Sequence, residues 1–128
     1  MEKYVSKEPK AGDIVKVEIK NGIYHFGLYL GDDKIIQYGL AKDFLNTKKE
    51  DVCVLISSMD EFLDGKMALV RLYSFTEKFK KNSVKKSIDK ALARLGEKSY
   101  DPINNNCEHF VNECVFNKHI STQVKKAN

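Results

Sequence analysis

The dipeptide Asn21-Gly22, set between two alternating runs, commits the middle of this chain to an antiparallel sheet. From Asp13 to Lys20, Val15, Val17 and Ile19 fall on one side and Lys16, Glu18 and Lys20 on the other, which is the period of a half-buried strand. Asn-Gly suits the turn that follows, because a two-residue hairpin needs positive φ at both central positions. Ile23 to Leu30 continues as a second strand, Gly31-Asp32-Asp33 turns the chain again, and Lys34 to Tyr38 returns as a third. Strands joined this tightly form a meander.

Downstream, residues 39–50 read as a polar loop, and Asp51 to Ile56 alternates through Val52, Val54 and Ile56. Ser58 is placed to cap a short helix over Met59 to Leu63, and Asp64-Gly65 turns into a strand from Lys66 to Tyr73. Ser83 caps a helix with Val84, Ile88, Ala91, Leu92 and Leu95 on one face, ended by Gly96. A last helix carries Cys107, Phe110, Val111, Cys114 and Val115 at helical spacing. The expected architecture is α+β: an antiparallel sheet of about five strands with helices packed on one face. Residues 1–11, which include Pro9, are expected to form a flexible arm, 12–124 a single domain and 125–128 a tail.

The chain has 128 residues, enough for one domain with a real core, and its 42% hydrophobic and 31% charged content excludes a disordered chain. Three cysteines without paired CxxC spacing point to a reduced, cytoplasmic setting rather than a disulfide framework, and give no support for zinc or another metal. The net charge of +4 comes from lysines, among them Lys78, Lys80, Lys81, Lys85, Lys86 and Lys90. Such a run is either a solvated face or a contact for an anionic surface. No apolar run approaches the roughly 18 residues of a membrane span.

Cys107 sits where a helix should begin. Asn105 as N-cap with Glu108 three residues on would close a capping box and put Cys107 in the first turn, where amide dipoles favour the thiolate and lower a thiol pKa. The same residue lies on the apolar stripe, where a cysteine is ordinarily a buried packing group. Periodicity leaves both readings open. His109 lies two residues on, roughly 200° round the helix, and is read as structural.

Two stretches decide between the readings: His25-Phe26-Gly27-Leu28-Tyr29-Leu30-Gly31-Asp32, and Asn106-Cys107-Glu108-His109-Phe110-Val111. Together they resemble the H-box and NC motifs of the lecithin:retinol acyltransferase-like family, part of the NlpC-type superfamily of permuted papain-like folds. The resemblance runs from about Gly12 to Val124, and over residues 40–100 it holds in layout rather than in letters. It implies that Cys107 is the nucleophile and His25 the general base. Family enzymes usually place a second histidine twelve positions after the first, where this chain has Gln37. A glutamine can orient an imidazole through its amide oxygen but cannot titrate.

The chemistry so implied is acyl transfer from a glycerophospholipid through a Cys107 thioester, with no cofactor and no nucleic-acid partner. The acceptor is water, an amine or an alcohol, and no insertion reads as a retinoid-binding element. An enzyme of this kind works at a membrane surface, to which the lysine run would contribute. Because Gln37 departs from the family pattern, a catalytically silent interaction protein on the same fold is the alternative, and a small NlpC-type peptidase or amidase a third reading.

Overall fold

A computed structural model describes residues 2–40 and 47–127. Residues 41–46 of the expected loop over 39–50 lie outside it, and part of the remainder forms a single 3-10 turn at Lys49–Asp51. The meander takes its expected form as β2 (Ile14–Lys20), β3 (Ile23–Gly31) and β4 (Lys34–Tyr38), each antiparallel to the next. Beyond β4 lies β5 (Val54–Ser58), followed by α1 (Met59–Leu63), capped by the Ser58 hydroxyl. The chain then crosses to the far side of the meander, where β6 (Leu69–Leu72) pairs with β2 through Val15 and Val70.

The sheet has six strands rather than about five, in the order β1-β6-β2-β3-β4-β5. The extra strand comes from the segment expected to be a flexible arm: Lys3–Val5 forms β1, paired with β6 in the register Lys3 to Leu72 and Val5 to Val70. Side chains hold it there. The Tyr4 ring meets Phe26 edge-on, Lys16 Nζ lies 4.0 Å from the Tyr4 ring centroid, and Glu2 reaches Arg71 at 3.7 Å.

Helices cover both faces rather than one. The larger face carries α3 (Val84–Leu92) and α4 (Cys107–Phe116), over a core of Phe26, Leu28, Ile36, Tyr38, Phe110 and Val111. The opposite face packs Met59 and Phe62 of α1 against Val15, Val17, Ile35 and Val70. Two-residue alternation along β2 to β4 feeds both cores, so the meander is apolar on both sides at its centre. Two further helices complete the chain. α2 (Phe75–Lys80) starts with a Ser74/Glu77 capping box, and α5 (Thr122–Ala127) extends into the segment expected to be a tail.

Candidate active site

Cys107 is the first residue of α4, and Asn106 rather than Asn105 is its cap. The Asn106 Oδ1 accepts from the N–H groups of Glu108 at 2.9 Å and His109 at 3.0 Å, and His109 Nδ1 closes the box by accepting from Asn106 N–H at 3.0 Å. Asn105 is committed elsewhere. Its backbone exchanges two hydrogen bonds with Asp101, and its amide donates to the Ser99 carbonyl. Glu108, the expected box-closing group, is turned inward at 1% exposure.

His25 lies on β3, 1% exposed, with the Phe62 ring of α1 at a centroid distance of 5.5 Å. Its Nε2 is 2.8 Å from Oε1 of Gln37, which is fully buried on the neighbouring strand β4. Gln37 Nε2 donates in turn to Ser57 Oγ at 2.5 Å, and the Ser57 hydroxyl donates to the Ser58 carbonyl at 3.0 Å. This chain runs in one direction only. With the Ser57 proton spent on Ser58, Gln37 must present its oxygen to the imidazole, so His25 carries its proton on Nε2 and a lone pair on Nδ1. Nδ1 is buried and has no hydrogen-bond partner among the described residues. A buried acceptor left without a partner calls for an explanation, and a base awaiting a proton is one.

Cys107, the third residue, shares a cavity of about 870 Å³ with His25, and Gln37 is not among that cavity's lining residues. No hydrogen bond joins the Cys107 and His25 side chains. The backbone N–H of Phe26, one residue from His25, and those of Cys107 and Glu108 lie near enough to the Cys107 sulfur to favour its thiolate. The walls are mostly apolar, formed by Tyr4, Ile19, Ile23, Tyr24, Ile103 and Val124 among others. Ile23 and Ile103 are 44% and 64% exposed, so the apolar lining continues to the surface.

Burial overrides the helix-start field at Cys107. The side chain is 4% exposed, and desolvation pushes its thiol up to about 12, against the downward pull of the Phe26, Cys107 and Glu108 amides. The lowered pKa expected from the helix start is therefore not found. Burial also takes His25 down to about 4, against the smaller opposing effects of Gln37 and the Gly39 carbonyl. At neutral pH the pair consists of a thiol and a neutral imidazole.

The buried imidazole makes folding stability depend on acid. Below pH 6.5 the unfolded chain binds a proton that the folded chain refuses until about pH 4, so stability is lost as pH falls through that window and is unaffected above it. Over the whole window the loss from His25 amounts to about 3 kcal/mol. His109, also shifted down by burial, acts in the same direction, so the test is a comparison of variants. Urea unfolding at about pH 7 and about pH 4.5 should show His25→Gln closing most of the acid-induced loss. An equal acid loss in both proteins would contradict a buried neutral His25.

Two residues that the sequence did not single out join the site, Ser57 and Gln123, and Glu108 has a role there other than the capping one expected of it. Ser57 orients Gln37. Glu108 accepts hydrogen bonds from the Ser121 and Thr122 hydroxyls and from Gln123 N–H. The Gln123 side chain bonds the backbone of Tyr24. His109 stacks on His119 at 4.1 Å and serves the helix cap. Cys114 is buried, with its thiol also pushed up to about 12 by desolvation. Among the described residues, no group of three or more His, Cys, Asp or Glu is placed to hold a metal, and no helix is long and apolar enough to cross a membrane.

A cysteine opening a helix, in one cavity with a histidine that an amide on the next strand of an antiparallel sheet hydrogen-bonds, is an arrangement consistent with an α+β papain-like fold. The family model described as "Lecithin retinol acyltransferase" matches residues 7–120, and the chain belongs to that family. Among individual proteins, it is similar to the lecithin retinol acyltransferase of Rattus norvegicus, 28% identical over 134 residues covering 90% of this chain. The proteins of that name from Mus musculus and Homo sapiens are each 27% identical over the same share of the chain. The chain spans 58% of the length of each of these relatives.

Proposed function

We propose that this chain is a thiol-dependent acyltransferase or phospholipase A, which takes an acyl group from a glycerophospholipid onto Cys107. One observation carries the reading: an apolar cavity holds a helix-start cysteine together with a histidine whose Nε2–H is committed to Gln37 and whose Nδ1 lone pair has no partner among the described residues. In this reading His25 Nδ1 accepts the thiol proton as Cys107 Sγ bonds to the ester carbonyl carbon. The alkoxide of the lysophospholipid leaves with that proton, and a thioester remains. Because both groups are neutral at rest, proton transfer accompanies attack rather than preceding it.

The geometry also narrows the source of oxyanion stabilisation. Of the amides that bear on the sulfur, those of Phe26, Cys107 and Glu108, the Glu108 N–H already donates to Asn106 Oδ1, as does that of His109, so within the first turn the uncapped one is the Cys107 N–H. A carbonyl oxygen becoming an oxyanion beside Cys107 would accept from it. The second half-reaction returns the acyl group to water, an amine or an alcohol. Lecithin and retinol stand in the relatives' name; in this chain the apolar cavity supports the lipid donor and does not select retinol as acceptor.

An approach to lipid surfaces has support of its own. Phe75 and Phe79 pair edge-to-face on α2 at 77% and 78% exposure, beside Lys78 and Lys80. Exposed aromatics flanked by lysines suit the interface of an anionic membrane.

The reading is tested with vesicles of phosphatidylcholine and phosphatidylethanolamine. Lysophospholipid should accumulate in step with free fatty acid or with an N-acylated amine, and Cys107→Ala should remove all of these products. No product from the unsubstituted protein on either lipid would overturn the acyltransfer reading and favour the silent interaction protein.

A further inference from the structure

If Cys107 and His25 work together, their spacing must be fixed by something other than a bond between them, because α4 and β3 present the two side chains separately. The edge of β3 shows what does this. The last register pair between β3 and β4 at this end joins Gly27 to Gln37, whereas β3 begins at Ile23, so β3 runs on past its neighbour. Along that uncovered edge the Phe26 N–H lies near the Cys107 sulfur. Two residues earlier, the Tyr24 N–H donates to Gln123 Oε1 at 2.7 Å, and the Tyr24 carbonyl accepts from Gln123 Nε2 at 3.3 Å. The Gln123 side-chain amide thus takes the place of a strand partner, satisfying both backbone groups of Tyr24.

The other end of Gln123 is tied to the cysteine. Its backbone N–H donates to Glu108 Oε1 at 3.2 Å, and Glu108, next to Cys107, accepts further bonds from Ser121 Oγ at 2.9 Å and Thr122 Oγ1 at 2.6 Å. A continuous path therefore runs from Cys107 through Glu108 and Gln123 to Tyr24 and His25. Thr122, Gln123 and Val124 also form one wall of the cavity.

We propose that Gln123 is the positioning residue of this site: its amide and backbone N–H lock the Tyr24–His25 end of β3 to the Cys107–Glu108 start of α4. The inference rests on the roles given to Cys107 and His25 under the proposed function. A misplacement of about 1 Å between reacting groups lowers turnover about a hundredfold. Loss of the bridge should therefore act on kcat more than on KM.

The test uses the full chain with Gln123→Met, which keeps the length of the side chain and loses both bonds to Tyr24, and Gln123→Glu, which keeps the acceptor for the Tyr24 N–H. Three readings are taken: kcat and KM for lysophospholipid release, the pH dependence of Cys107 alkylation by iodoacetamide, and the titration of His25 by NMR. Gln123→Met should lower kcat about 10- to 100-fold with a smaller change in KM, and shift the alkylation profile and the His25 titration. Gln123→Glu should recover part of the kcat. A Gln123→Met protein of reduced thermal stability but unchanged kcat, alkylation profile and His25 titration would overturn the proposal, leaving Gln123 a mere anchor for α5. Should the unsubstituted protein turn over no lipid, the alkylation and NMR readings still decide: a shift there keeps the bridge and overturns only the acyltransfer reading, and no shift overturns both.

Discussion

Replacing His25 by asparagine should lower lysophospholipid formation roughly 10²- to 10⁴-fold, the usual contribution of a positioned general base. Asparagine places a polar group near the Nδ1 position of the ring, falls short of the Nε2 position that bonds Gln37, and has no basic nitrogen to take the thiol proton. The effect should fall on kcat, because the apolar walls of the cavity are untouched. The unsubstituted protein should hold its kcat/KM down to about pH 5 and lose it below, since burial lowers the His25 pKa to about 4. Steady-state assays across that range check both points. Activity of His25→Asn within about tenfold of the parent would remove His25 from the chemistry.

Glu108→Ala should be the most destabilising single change near the site, costing about 3 kcal/mol in urea unfolding. The side chain is 1% exposed, and truncation strands the Ser121 and Thr122 hydroxyls and the Gln123 N–H in an interior where water replaces the carboxylate poorly. Ser121 would also lose a partner while it supports the start of α5 through Val124 N–H and Lys125 N–H. Glu108→Gln retains one acceptor oxygen and should cost about half as much. A loss below about 0.5 kcal/mol for Glu108→Ala would mean that the C-terminal segment does not depend on this carboxylate.

The meander and the short helix after Ser58 were legible because their signals are local: alternation, Asn21-Gly22, and a hydroxyl before an apolar turn. The Ser74/Glu77 capping box was equally local, yet α2 went unread because the helix buries none of its residues and so has no apolar stripe facing a core. β1 has only three residues and is held by contacts with residues far along the chain, Phe26, Lys16 and Arg71, which no local pattern reports. The capping of α4 slipped by one residue because Asn105 and Asn106 are equivalent as letters, and only the Asp101 bridge withdraws the first of them. At the site, motif resemblance singled out Cys107, His25 and Gln37, and the structure joins His25 directly to Gln37. Glu108 read as a surface capping group because its neighbours in sequence say nothing of the C-terminal segment that folds back onto it. The thiol pKa was misjudged for a related reason: helix position is visible in a sequence, whereas the depth of burial that outweighs it is not.

Acid-quenched mass spectrometry of the protein after brief exposure to phosphatidylcholine tests the central claim most directly. The account predicts a mass increase of one acyl chain, located on the peptide carrying Cys107, released by hydroxylamine as a thioester is, and absent from Cys107→Ala. An unmodified Cys107 in a protein that nonetheless releases lysophospholipid, or an acyl group on any other residue, would contradict it.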